Sequence, residues 1–87
     1  MTILSERERE VLVLMAEHPD DDEGELVYER GQAWIGDEKT SARIVFSLLR
    51  HCAISLEDGF QVGGVERYRI NETGRDLLAE DRRRGGR

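Results

Sequence analysis

The chain has 87 residues, a net charge of −6 and 38% hydrophobic residues. This length suits one domain with a small core. No apolar run approaches the roughly 20 residues that span a bilayer. The single cysteine excludes an internal disulfide and a multi-cysteine zinc site. Because the N-terminus becomes acidic too early for a signal peptide, we expect a cytoplasmic protein.

The first predicted element is a helix that begins after Ser5. Ser5 and Glu8 have the spacing of a capping box. The helix is expected to end by His18, because Pro19 disfavours helical geometry in the residue before it. The side chains expected to be buried are Val11, Leu12, Leu14 and Met15.

An acidic stretch, residues 20–25, follows this helix. An EF-hand calcium loop needs a glycine at its sixth position and a glutamate at its twelfth. Counted from Asp20, those positions hold Glu25 and Gly31. The stretch therefore predicts a solvated loop without a metal, and His18 beside it is expected to be a solvated helix end.

Residues 25–36 are compatible with two structures. In a helix their apolar residues share one face, although Gly31 would cost about 1 kcal/mol in the interior. In a hairpin two short runs pair around Arg30 and Gly31, which is a weak turn signal.

The segment 38–52 predicts the central helix of the domain. Its apolar residues recur at three- and four-residue spacings, while cations and hydroxyls occupy the other side and Phe46 lies near the edge. Asp37 or Thr40 can cap its start. Such a helix buries one face and can offer the other to an anionic partner. The apolar face consists of Ser41, Ile44, Val45, Leu48, Leu49 and Cys52, and the polar face of Lys39, Arg43, Ser47 and Arg50.

Two strands are predicted after the central helix. Residues 53–57 and 65–70 alternate with the period of strands, and the segment 58–64 between them is rich in turn residues. The second strand has an apolar side and a cationic side. The apolar side consists of Tyr68 and Ile70, and the cationic side of Arg67 and Arg69.

A last helix is predicted over residues 72–84. Asn71 is expected to cap it, and Leu77, Leu78 and Ala79 to pack against the core. Residues 1–84 then form a single domain, and residues 85–87 form a disordered tail.

Charge is unevenly spread along the chain. Residues 1–38 carry twelve acids and three arginines, a net of −9, whereas residues 39–87 carry ten cations and seven acids, a net of +3. The central helix therefore lies in the half that does not repel nucleic acid. Twelve of the thirteen cations are arginine. With many acids and one lysine, the composition resembles that of proteins from halophilic archaea.

Two segments resemble the winged helix-turn-helix domains of MarR- and PadR-type regulators. The segment from Thr40 to Ile54 is similar to the recognition helix of this family and its first wing strand. The segment from Tyr68 to Leu78 is similar to the exit from the wing, with Asn71 at the usual threonine of a T-x-x-G-x-x-L pattern. The resemblance implies an α+β fold with a three-helix core, a two-stranded wing and a short C-terminal helix. For residues 25–36 the resemblance favours the helix over the hairpin. It implies that this helix ends near Gly31 and that Trp34 and Ile35 lie in the core.

The chain departs from the family pattern in three places. Cys52 and Ala53 stand where a glycine usually follows the recognition helix. The wing tip carries Glu57 and Asp58 and no cation. The long helices through which the family dimerises are missing.

The resemblance implies sequence-specific binding of double-stranded DNA by a transcriptional regulator. The central helix would enter the major groove, where arginine binds guanine through two hydrogen bonds, and strand 65–70 would act as the wing. A small homodimer is expected from the apolar face of the first helix and from Phe46. No cofactor and no metal are expected. The candidate DNA-binding residues are Lys39, Thr40, Arg43, Ser47, Arg50, Arg67 and Arg69.

A protein-binding winged-helix module is the competing hypothesis. Trp34, Phe46 and Phe60 could anchor a partner in a transcription or replication assembly. An enzyme is not expected, because the chain has no glycine-rich phosphate loop, no HExxH motif and no group spaced to activate Cys52. Cys52 is expected to be an inert core residue.

Overall fold

The computed structural model describes residues 4–57 and 63–85. The elements are α1 (Glu6–Glu17), β1 (Leu26–Glu29), β2 (Gln32–Ile35), β3 (Glu38–Thr40), α2 (Ala42–Arg50), β4 (Ile54–Leu56), β5 (Val65–Ile70) and α3 (Glu72–Gly85), with a short 3-10 turn at Asp22–Gly24. The strands form one antiparallel sheet in the order β3-β2-β1-β5-β4. The domain is therefore of the α+β class. Most of the predicted wing tip, residues 58–62, and the tail residues 86–87 lie outside the described residues.

α1 begins at the predicted capping box. Ser5 Oγ accepts a hydrogen bond from the Glu8 N–H at 3.1 Å, and Glu8 Oε1 accepts one from the Ser5 N–H at 2.7 Å. The helix ends at Glu17 with His18 as its C-cap, as predicted. Three of the four predicted core residues, Val11, Leu12 and Met15, are fully buried, and Leu14 is partly buried against them.

The predicted helix ending near Gly31 is wrong, because β1 and β2 form a hairpin. Arg30 and Gly31 join the strands with φ angles of 52° and 78°. Positive φ at both positions is typical of a type I′ turn, whose twist matches that of paired strands. Val27 pairs with Trp34 across the hairpin. Such β-branched and aromatic side chains pack well on a pleated surface.

α2 begins later than predicted. Residues 38–40 form the edge strand β3, so the helix starts at Ala42. Ser41 is the N-cap, and its Oγ accepts a hydrogen bond from the Arg43 N–H at 3.2 Å. The predictions of Asp37 or Thr40 as cap, and of Ser41 on the apolar face, are therefore wrong. The buried residues of α2 are Ile44, Val45 and Leu48, while Leu49 is 36% exposed.

The turn after α2 brings Cys52 to the surface. Cys52 has φ of 59°, the left-handed conformation that a glycine usually supplies after a helix. Its N–H donates to the carbonyl oxygen of Leu49 at 2.9 Å. Because the helix has ended by this point, the side chain faces solvent. The prediction of Cys52 as a core residue is wrong.

The predicted pair of strands after α2 is present as part of a larger sheet. β5 pairs with β4 on one side and with β1 on the other. Tyr68 and Ile70 are buried, as their alternation predicted. α3 is capped by Asn71, whose Oδ1 accepts a hydrogen bond from the Gly74 N–H at 2.8 Å. Leu78 is buried and Leu77 partly buried, as predicted, whereas Ala79 is exposed.

The two faces of the sheet have different environments. The helices pack on the inner face, which buries Ala33 and Ile35 of β2. Strand residues alternate between faces, so Trp34 lies on the outer face between Val27 and Lys39. Trp34 is half-buried there, and its predicted place in the core between helices is wrong.

Because the first half of the chain is strongly acidic, we expect salt to stabilise the folded domain. The side chains of residues 20–23 are all exposed and lie close together in sequence. In 1 M salt the Debye length falls to about 3 Å, which screens their mutual repulsion. We expect a higher melting temperature in 2 M KCl than in dilute buffer, measured by circular dichroism. A midpoint that stays constant or falls on adding KCl would contradict this expectation.

Candidate nucleic-acid interface

The seven candidate residues are divided between the exposed side of α2 and the sheet. α2 packs against the inner face of the sheet, so its exposed side points away from the outer face. The candidate residues therefore do not form one continuous surface. Arg43, Ser47 and Arg50 belong to α2, Lys39, Arg67 and Arg69 lie on the outer face, and Thr40 lies on the inner face.

Arg43, Phe46 and Arg50 form an exposed cationic surface, here named the α2 surface. The three side chains recur at spacings of three and four residues and border one shallow depression with Ile44 and Ser47. No acid lines that depression. Within residues 4–57 and 63–85, neither arginine of this surface forms an ion pair. This surface therefore keeps its positive charge available to a partner.

Phe46 projects from the middle of the α2 surface. Its side chain is 54% exposed, more than that of any other large hydrophobic residue that the structure describes. Its ring packs edge-on against Tyr28 of β1, with ring centroids 5.4 Å apart and planes at 68°. Edge-to-face contacts of this kind are favourable for aromatic pairs. The contact holds the ring in place without removing it from solvent.

Ser47 has a partner inside the protein. Its hydroxyl donates to Oε2 of Glu8, whose other oxygen completes the capping box of α1. Glu8 is 6% exposed, and His51 Nε2 lies 3.7 Å from the same Oε2. Glu8 thus joins the start of α1 to the middle and end of α2. The capping pattern identified Glu8 in the sequence. Its partners in α2 are about 40 residues further along the chain, so local sequence patterns do not indicate these contacts.

Thr40 and Lys39 point to opposite faces of the sheet. Thr40 is buried on the inner face, and its Oγ1 accepts a hydrogen bond from Arg7 Nε at 3.1 Å. Lys39 is exposed on the outer face beside Trp34. Neither side chain joins the α2 surface, because β3 is extended and the helix has not yet begun.

Acidic groups lie beside the two candidate arginines of β5. Arg67 Nη1 lies 3.0 Å from Glu25 Oε1, and Arg69 Nε lies 3.4 Å from Glu57 Oε2. Arg69 Nη1 also donates to the carbonyl oxygen of Asp21 at 2.8 Å. Burial, together with the neighbouring Glu57 carboxyl, raises the pKa of Glu25 even though Arg67 opposes the shift. The contacts with Glu25 and Asp21 join β5 to the segment that precedes β1, and the contact with Glu57 joins β5 to the end of β4.

The acidic turn is also internally paired through His18, the predicted helix end, which is half-buried and not fully solvated. His18 Nδ1 lies 3.2 Å from Asp21 Oδ2, and Nε2 lies 3.4 Å from Glu23 Oε2. The hydrogen bond with His18 lowers the pKa of Asp21. In the described part of the chain, no three or more His, Cys, Asp or Glu side chains are grouped so that they could hold a metal ion.

The α2 surface thus brings together two arginines without an ion pair among the described residues and an exposed aromatic ring.

Among the described residues, no helix has the length and apolar character needed to cross a membrane. Comparisons of the chain with protein-family models, curated proteins and solved structures found no match.

Proposed function

We propose that the domain binds double-stranded DNA through α2 and acts as a transcriptional regulator. The observation that carries the proposal is the α2 surface, where two unpaired arginines flank a depression without an acid. DNA presents a dense row of negative charges to such a surface. The local positive charge matters because the protein as a whole carries a net charge of −6 and would otherwise repel nucleic acid.

The dimensions of α2 support insertion into the major groove. An α-helix fits the width of this groove, and exposed arginines on it can bind the O6 and N7 atoms of guanine. Arg43 and Arg50 are seven residues apart, which corresponds to an axial rise of about 10 Å. At about 3.4 Å per base pair, the two side chains would reach over about three base-pair steps.

The proposed fold is a variant of the winged helix. α2, the β4–β5 pair and the capped α3 follow one another in the order that the resemblance implies. The hairpin of β1 and β2 takes the place of the helix that would precede the recognition helix. In this variant Arg67 and Arg69 support the base of the wing through their acidic partners. The direct contacts are assigned to Arg43 and Arg50.

Selection from a library of random duplexes tests the proposal. The full chain is incubated with the library at several KCl concentrations, and the bound duplexes are amplified and sequenced. We expect enriched sites that share guanines, with binding that weakens as KCl rises because phosphate contacts release counterions. A pool that stays random after repeated rounds at low salt would contradict the proposal.

A protein partner is the second candidate function, and Phe46 and Leu49 favour it. Both side chains are exposed and lie on neighbouring sides of α2. Exposed aromatic residues commonly anchor protein interfaces. A second copy of the chain is one such partner, and sedimentation at several concentrations would detect the homodimer. If Phe46→Ala abolished self-association and left duplex binding unchanged, the protein-binding function would be favoured.

A further inference from the structure

We infer that Phe46 recognises the C5-methyl group of thymine, so that the α2 surface prefers sites in which thymine lies near guanine. The inference rests on the proposed function, because it requires α2 to enter the major groove. It adds a sequence preference that the two arginines alone would not give.

The first argument is the chemistry of the groove. Phe46 is 54% exposed between Arg43 and Arg50, so a duplex bound by the arginines would cover the ring. Most groups on the base edges of the major groove are hydrogen-bond donors or acceptors, which a phenyl ring cannot satisfy. The methyl group of thymine is apolar and accepts contact with a phenylalanine ring.

The second argument is that the ring is held in position before binding. The edge contact with Tyr28, at a centroid distance of 5.4 Å, restricts Phe46 on the solvent side of α2. A side chain that is already restricted loses less conformational freedom when it binds. Tyr28 therefore acts as a positioning residue for the contact.

The third argument is spacing along the helix axis. Phe46 follows Arg43 by three residues and precedes Arg50 by four, which corresponds to axial rises of about 4.5 and 6 Å. Each rise equals one to two base-pair steps of about 3.4 Å. The thymine is therefore expected within about two base pairs of a guanine bound by either arginine.

Deoxyuridine provides the direct test, because it differs from thymidine only in lacking the methyl group. Each thymine of a selected duplex is replaced in turn, and the dissociation constant is measured at one KCl concentration. One replacement, within about two base pairs of a guanine, is expected to weaken binding about fourfold. A fourfold change in the dissociation constant corresponds to about 0.8 kcal/mol, the free energy expected for burying one methyl group.

The same replacements with Phe46→Ala decide whether this side chain makes the contact. The variant is expected to bind thymine and uracil duplexes equally, whereas Leu49→Ala, the matched apolar control, should keep the fourfold difference. Both positions are exposed, so thermal melts should confirm folding. Equal binding of both duplexes by the unsubstituted protein, or an unchanged difference in Phe46→Ala, would overturn the inference while the proposed function stands. Absence of duplex binding would overturn both.

Discussion

Replacing Gly74 by alanine is expected to destabilise the domain by about 2 kcal/mol. A Cβ atom at this position of α3 would lie inside van der Waals contact with the carbonyl oxygen of Ala53 and 2.7 Å from Ile70 Cγ1. The carbonyl belongs to the backbone and accepts a hydrogen bond from the Asn71 N–H at 3.1 Å, so it cannot move freely. Overpacking costs about 1–3 kcal/mol or more, and the better helix propensity of alanine offsets about 1 kcal/mol.

Thermal unfolding of Gly74→Ala and of Thr73→Ala measures this effect. For a domain of this size, 2 kcal/mol corresponds to a fall of about 8–16 °C in melting temperature. Thr73 is exposed on the same helix, so its substitution should change stability by less than about 0.5 kcal/mol. An unchanged or raised melting temperature for Gly74→Ala would show that α3 does not approach Ala53 this closely.

Replacing Glu8 by alanine is expected to lower the free energy of unfolding by about 2–3 kcal/mol. Glu8→Ala removes the acceptor for the Ser5 N–H and the acceptor for the Ser47 hydroxyl. Hydrogen bonds to charged groups contribute about 1.5–3 kcal/mol each, and removal of the buried charge offsets part of the loss. Because the carboxylate links α1 to α2, the substitution should also weaken duplex binding by loosening α2.

Two further variants distinguish the loss of the buried Glu8 contacts from the loss of a carboxylate in general. Glu8→Gln keeps an acceptor for the capping box and should lose about half as much stability. Glu10→Ala removes an exposed carboxylate that, among the described residues, pairs with Arg7, and should lower the free energy of unfolding by less than about 1 kcal/mol. Chemical denaturation with urea measures all three free energies of unfolding. Equal losses for Glu8→Ala and Glu10→Ala would contradict the structural role of Glu8.

The sequence predicted well the features that depend on neighbouring residues. The capping box at Ser5 and the cap at Asn71 involve residues only three positions apart. The buried sides of α1 and β5 follow from regular alternation with one face inward. The β4–β5 pair and the class of the fold were therefore predictable.

The hairpin and the start of α2 were not predictable from local patterns. Arg30 is an uncommon residue for positive φ, so the turn between β1 and β2 carried a weak signal. Lys39 has the helical spacing to share a face with Arg43. However, α2 begins only after its N-cap Ser41, and residues 38–40 pair with β2 as a strand. Tertiary pairing overrode the periodicity at this boundary.

The candidate site was predictable only in part. Exposure of Arg43 and Arg50 follows from the apolar face of α2. The partners of Arg67 and of Ser47 are 42 and 39 residues away, so their pairing could not be read from spacing. The helical spacing puts Phe46 near the edge of the polar side, but its contact with Tyr28 depends on the hairpin, which the winged-helix resemblance did not select.

The affinity of Arg43→Ala for a selected duplex, measured beside that of Arg75→Ala, tests the central claim most directly. Both residues are exposed arginines without an ion pair among the described residues, but Arg75 lies on α3, outside the α2 surface. At one fixed KCl concentration, Arg43→Ala should weaken binding by about 1–3 kcal/mol, roughly 5- to 150-fold, and relax the preference at one base pair. Arg75→Ala should change the affinity by about twofold or less, as expected for a screened charge away from the groove. Equal losses in the two variants, or unchanged binding by Arg43→Ala, would contradict recognition of DNA through α2.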